Sequence, residues 1–120
     1  MLPVELMTAM GLLQEKWTLS ILYVLMQGPN GFNGVGREAG AVNAGTLAQR
    51  LSRLEEAGLV EKTVQSTMPP RTSYALTAAG EALRPVIAAL ERWAARYAKG
   101  TVGGAAKARG TAPRQRRGLK

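Results

Sequence analysis

The stretch that most restricts the fold is "TLAQRLSRLEEAGLV" at residues 46–60. Leu47, Leu51 and Leu54 recur at helical spacing with polar residues between them, which predicts an amphipathic helix with one buried stripe. Asn43 is a good N-cap for this helix, and Gly58 supplies its stop. The period then changes. "LVEKTVQ" and "RTSYAL" read as two strands around "STMPP", a hairpin with a proline-stiffened tip. A short capped helix running straight into a hairpin leaves few architectures open.

The preceding residues narrow them further. Pro3 suits a first helical position, and Leu6, Met7, Met10 and Leu13 follow at helical spacing. A second helix is expected from about Trp17 to Met26; its apolar residues surround it, so it should be central. "QGPNG" at 27–31 breaks the chain, a short helix follows over 33–39, and Gly40 can end it. After the hairpin, Thr77 can cap a long final helix reaching about Tyr97, with Pro85 marking a kink or a frayed start. The expected fold is mainly α with a small β-hairpin wing, a winged helix-turn-helix.

Composition removes whole classes of function. The chain has no cysteine, histidine or aspartate, and its acids are eight glutamates. A disulfide framework, zinc-finger spacing and nucleophile pairs built on Cys or His are excluded, and the usual general base near neutral pH is missing. No catalytic residue, metal site or cofactor is expected. No run of about 18 apolar residues could span a membrane, and "MLPVELMTAM" lacks the basic start of a secretory signal, so the expected location is cytoplasmic.

The net charge of +8 is unevenly placed: residues 1–98 hold nine basic and eight acidic groups, whereas 99–120 hold seven basic groups and no acid. The second stretch, "AKGTVGGAAKARGTAPRQRRGLK" with its flank at Ala98, has the composition of a disordered tail. The domain boundary is therefore expected near residue 98. Such a tail is either a solvated extension or a sequence-blind grip on phosphate.

On the helix at 43–57, Thr46, Gln49, Arg50 and Arg53 form a second stripe about 100° from the leucines. This face holds no acid, while Glu55 and Glu56 lie at the far end. Arginine suits guanine, glutamine suits adenine, and the threonine methyl suits thymine, so these residue types fit a base-reading face. A solvated outer face of good helix formers gives the same pattern.

Longer motifs carry a resemblance. "EKWTLSILYVLMQGPNGF", "TLAQRLSRLEEAGLVEKTV" and "MPPRTSYALTAAGEAL", in that order, resemble the HxlR-type (MarR-like) winged-helix transcriptional regulators over about Lys16 to Trp93. The resemblance implies a dimeric regulator that binds double-stranded DNA. It places the recognition helix on 43–57, with Asn43, Thr46, Gln49, Arg50 and Arg53 toward DNA. Arg50 also matches a family arginine that can instead brace the domain internally. The wing falls on 61–74, with Lys62 and Arg71 as phosphate contacts; the stem of Lys62 can lie along the core. Gly31 and Gly45 stand where relatives often carry a basic residue, and Gly34 and Gly36 each cost roughly 1 kcal/mol of helix propensity relative to alanine. A looser helix-turn-helix with fewer phosphate contacts is expected, with the tail able to restore attraction. Many relatives sense oxidants through a cysteine, a route closed to this chain.

A dimer surface is expected from Leu6 and Met10 near the start and from Leu83, Ile87, Leu90, Trp93 and Tyr97 near the end, although the second stripe can also close the chain's own core. A homodimer would read a palindromic operator. The resemblance leaves room for a small-molecule effector that nothing in the sequence names. The competing readings are a winged helix used for protein contact and a sequence-blind nucleic-acid binder driven by the tail.

Overall fold

The computed structural model describes residues 1–98, and the basic tail expected at 99–120 lies outside the described residues. The chain divides into two compact units, one spanning Met1–Arg84 and one beginning at Pro85. Among the described residues no helix is long and apolar enough to cross a membrane.

In the first unit, helix α1 (Val4–Leu13) leads through a tight turn into α2 (Thr18–Met26). A two-residue strand β1 (Asn30–Gly31) precedes α3 (Phe32–Glu38), and α4 (Ala44–Glu56) follows. Strands β2 (Val60–Thr67) and β3 (Pro70–Leu76) form the hairpin, and α5 (Ala78–Glu81) is a single short turn. The sheet has the order β1-β3-β2 with both pairings antiparallel. Helix α2 packs against α3 and β3, and α4 packs against β2. The core is therefore built on α2, where Ile21, Leu22 and Leu25 are buried, and on the α4 leucines, where Leu47, Leu51 and Leu54 are at most 2 % exposed.

The capping chemistry follows the sequence closely. Asn43 Oδ1 accepts from the Thr46 N–H at 2.9 Å and fixes where α4 begins. Thr77 Oγ1 accepts from the Gly80 N–H at 3.2 Å while donating to the Gly58 carbonyl at 2.6 Å. One hydroxyl thus joins the start of α5 to the turn that ends α4. Pro3 stands one residue earlier than expected, at the N-cap of α1.

The single final helix expected from Thr77 is two helices instead. Pro85 has no N–H to offer the Glu81 carbonyl and its ring would crowd that carbonyl, so α5 ends and α6 (Arg84–Tyr97) restarts with Pro85 in its first turn. Arg84 links the break to the core, its Nη2 donating to Glu81 Oε1 at 2.7 Å and to the Met26 carbonyl at 3.1 Å.

Two glycines carry packing that a side chain would obstruct. A Cβ on Gly36 would stand 2.9 Å from Leu47 Cδ2, so this glycine lets α3 and α4 approach closely. Its place in α3 is a packing contact, where the sequence pointed to looseness. Gly40 has φ +126°, and a Cβ there would stand 2.6 Å from Trp17 Cζ3. Trp17 itself has φ 82°, and holding a bulky residue there costs on the order of 1–3 kcal/mol. The ring of Trp17 resting on Gly40 is one of the contacts that keeps it in place.

Tyr74 on β3 is buried, and its hydroxyl pKa is raised by desolvation first and by the nearby Glu55 carboxylate second. Glycine substitutions test the packing above. Gly40→Ala should lower the urea-unfolding stability by about 1–3 kcal/mol, whereas Gly11→Ala, with open space around its Cβ, should leave it unchanged or raise it by up to about 1 kcal/mol.

Candidate nucleic-acid interface

Helix α4 is presented by a helix-turn-helix. Its leucine stripe is buried, so the stripe of Thr46, Gln49, Arg50 and Arg53 is turned away from the core. Within that stripe Gln49 and Arg53 are exposed, while Thr46 and Arg50 are half-buried.

The polar groups on this face are engaged with each other and with the turn between α1 and α2. Arg50 Nε donates to the Lys16 carbonyl at 2.9 Å, and Arg50 Nη1 donates to Gln49 Oε1 at 3.0 Å. Glu15, in the same turn as Lys16, pairs with Arg53 Nη1 at 3.1 Å and stands 4.0 Å from Arg50 Nε. The Lys16 ammonium of the same turn lies 4.9 Å from the centre of the Trp17 ring.

These contacts divide the work. The Arg50 side chain is only 15 % exposed and its Nε–H is committed to a backbone carbonyl, so it acts as a brace between α4 and the α1–α2 turn. Of the two roles open to Arg50 in the sequence, the internal one is what its contacts describe. Gln49 is exposed, but its carbonyl oxygen is occupied by Arg50. Bidentate reading of adenine needs both ends of the amide, so Gln49 must release Arg50 Nη1 to read that way. Arg53 is 47 % exposed and is paired with Glu15. Asn43 spends its side-chain oxygen on the cap. Glu15 was absent from the sequence-derived site: it lies more than thirty residues from its partners, and no spacing rule connects them.

The wing lies on the same unit. Arg71 is exposed and sits opposite Ser66 in the hairpin, next to an irregularity in pairing between Val64 and Ser66. Arg71, Ser73, Asn30 and Asn33 line an open cleft of about 730 Å³ between the start of α3 and β3. Lys62, opposite Tyr74, is exposed along with its strand neighbour Val64, so this part of β2 projects beyond the core.

In the second unit, α6 bears an apolar face. Leu90, Trp93 and Tyr97 are 49 %, 58 % and 66 % exposed. Pro85, Val86, Ala89, Leu90 and Trp93 line a shallow, mostly apolar groove. The Trp93 and Tyr97 rings lie 6.2 Å apart, and Arg96 sits over Tyr97. Ile87, grouped with this face in the sequence, is buried, so little of it is left for a partner; Leu83 is half-buried. On α1, Leu6 and Met10 are exposed, as are Val4 and Met7.

This arrangement of helix-turn-helix and wing coincides with a family match: residues 12–101 fit the HxlR-like helix-turn-helix model. The chain belongs to that family. Among HxlR-like relatives, the HTH-type transcriptional regulator YodB of Bacillus subtilis is 33% identical over 90 residues, 75% of this chain and 80% of YodB. Its reduced form superposes with a TM-score of 0.73 at 31% identity, covering 82% of this chain and 97% of YodB. A MarR-family regulator from Enterococcus faecalis superposes with a TM-score of 0.71 at 29% identity, covering 81% of this chain and 88% of that one. YkvN of Bacillus subtilis, also named an HTH-type transcriptional regulator, is 34% identical over 84 residues, 70% of this chain and 71% of YkvN.

The two arginines of the HxlR-like α4 should separate in a thermal melt. Arg50→Ala removes a hydrogen bond to a backbone carbonyl and should cost about 1–2 kcal/mol. Arg53→Ala removes a partly exposed ion pair and should cost less than about 1 kcal/mol.

Proposed function

We propose that this chain is a sequence-specific, DNA-binding transcriptional regulator that occupies a palindromic operator as a homodimer. The carrying observation is the geometry of α4: a capped helix with its leucines buried and its N-terminal Thr46–Gln49 face turned outward beside an exposed wing. Family membership supports the same reading, since the relatives are named transcriptional regulators. No catalytic role is assigned to any residue.

In this reading Thr46 and Gln49 contact base edges, and Arg53 lies further along the groove. Arg50 holds the helix at its angle, and the amide of Asn43 sits at the helix entrance. Arg71 and Lys62 contact phosphates from the wing. Phosphate contacts position the protein, whereas base contacts specify the site. The exposed apolar residues of α6 (Leu90, Trp93 and Tyr97) and of α1 (Leu6 and Met10) supply the dimer surface; exposed aromatic residues in a groove are what a stable interface covers. Leu83 and Ile87 contribute less because they are already covered in the single chain.

YodB has been solved in diamide-treated and quinone-bound forms. This chain has no cysteine, so an effector acting on it works by non-covalent binding or through another residue type. The basic tail adds sequence-blind attraction to DNA, and a cytoplasmic location accompanies the function.

Selection of bound duplexes from a random pool tests the reading. Recovery of a palindrome is expected, bound at least about 10³-fold better than random duplex; recovery of no motif would favour the sequence-blind alternative. On the recovered site, Gln49→Ala should relax base preference at one position per half-site by about 1–3 kcal/mol, and Arg71→Ala should weaken all sequences about equally.

A further inference from the structure

We infer that Glu15 sets the charge with which α4 meets DNA, pairing Arg53 so that this face discriminates by hydrogen bonding more than by phosphate attraction. The inference rests on the reading of α4 as the DNA-facing helix.

Three charged side chains meet at this corner of the unit. Arg50 and Arg53 come from α4 and Glu15 from the turn between α1 and α2, where Lys16 contributes its backbone carbonyl. Arg50 has its own anchor in the Lys16 carbonyl at 2.9 Å, with Glu15 standing further off at 4.0 Å. Among the described residues, the Arg53 guanidinium pairs with the Glu15 carboxylate at 3.1 Å. Both members of that pair are partly exposed, with side-chain exposures of 47 % and 31 %. A pair of this kind adds little to stability because water screens it and ordering two side chains costs entropy. Its main effect is on the field outside the protein, where one carboxylate offsets one guanidinium.

The offset matters because residues 1–98 carry nine basic groups against eight acids. Attraction from the described part of the chain therefore depends on a few placed cations. Each cation that neutralises a phosphate adds about 0.9 to the slope of log K against log salt. With Glu15 in place, Arg53 must exchange its carboxylate for a phosphate, and the gain from that exchange is small. Glu15 thereby lowers affinity for arbitrary sequence, leaving the operator preferred through Gln49 and Thr46.

The test uses the full chain and two probes: a random-sequence 30-base-pair duplex and the palindrome selected by the wild-type protein, each titrated by fluorescence anisotropy across salt concentrations. Glu15→Gln should tighten binding to the random duplex severalfold at low salt and steepen its salt slope by about 0.9. The affinity ratio between palindrome and random duplex should fall. Adding Arg53→Gln to Glu15→Gln should abolish both the gain and the extra slope. An unchanged slope for Glu15→Gln would overturn the inference. So would weaker binding together with a lowered melting temperature, which would make Glu15 a structural brace. Gln49→Ala, measured on the same probes, separates the two levels. If it leaves base preference intact, the reading face itself is misassigned; if it relaxes preference while the Glu15→Gln slope stays put, only the role of Glu15 fails.

Discussion

The hydrogen bond from Arg50 Nε to the Lys16 carbonyl is the contact on which the presentation of α4 depends. That carbonyl is available because Lys16 precedes the N-cap Trp17, whose own carbonyl takes the first helical bond from the Ile21 N–H; Trp17 itself is left-handed. The Thr18 N–H bonds back to the Glu15 carbonyl at 3.2 Å, closing the turn. Positive φ at a third turn position normally selects glycine. Here a tryptophan holds it, with its ring against Gly40 in the turn of the helix-turn-helix. One turn between α1 and α2 therefore touches both ends of the recognition unit, the α3–α4 turn through Trp17 and the outer face of α4 through Lys16 and Glu15. Strain of this size persists only where surrounding contacts over-determine it, and at this turn they come from the α3–α4 turn and from α4.

Charge is used sparingly in the same region. The described chain is nearly neutral, so its attraction to nucleic acid depends on where its few cations stand. Arg50 has become a strut, Arg53 is shared with Glu15, and Gln49 is tethered to Arg50. Arg50, Gln49 and Arg53 are thus held by internal partners, and the Arg50 brace sets the placement of α4. A helix held in place in this way lowers the ordering cost of association. It also means that a base contact by Gln49 carries the loss of one internal hydrogen bond.

Much of the fold was legible because it rests on local chemistry. The Asn43 and Thr77 caps, the Gly58 stop, the leucine stripe of α4 and the hairpin all act over a few residues, and all appear where the pattern put them. Strand β1 was not legible: two residues inside a Pro-Gly break become a strand only because Tyr74 and Ser73 of β3 lie beside them. The split of the final helix was foreshadowed by Pro85, but the pattern of apolar residues ran through it and concealed the break. At the site, the outward stripe followed from the helical period alone. The roles within it did not, because Arg50 and Arg53 are defined by Lys16 and Glu15, whose sequence positions say nothing about proximity. Gly36 likewise read as a weak point in a helix and proved to be the place where Leu47 approaches.

The central claim is that the N-terminal half of α4, together with the wing, forms the surface that meets DNA. Amide chemical-shift mapping of the isotopically labelled full chain, titrated with its selected duplex, tests this most directly. The largest shifts should fall on residues 43–50 and around Arg71, with a side-chain response at Gln49 as Arg50 Nη1 is released. Shifts confined to residues 99–120, or centred on α6 with α4 undisturbed, would contradict it.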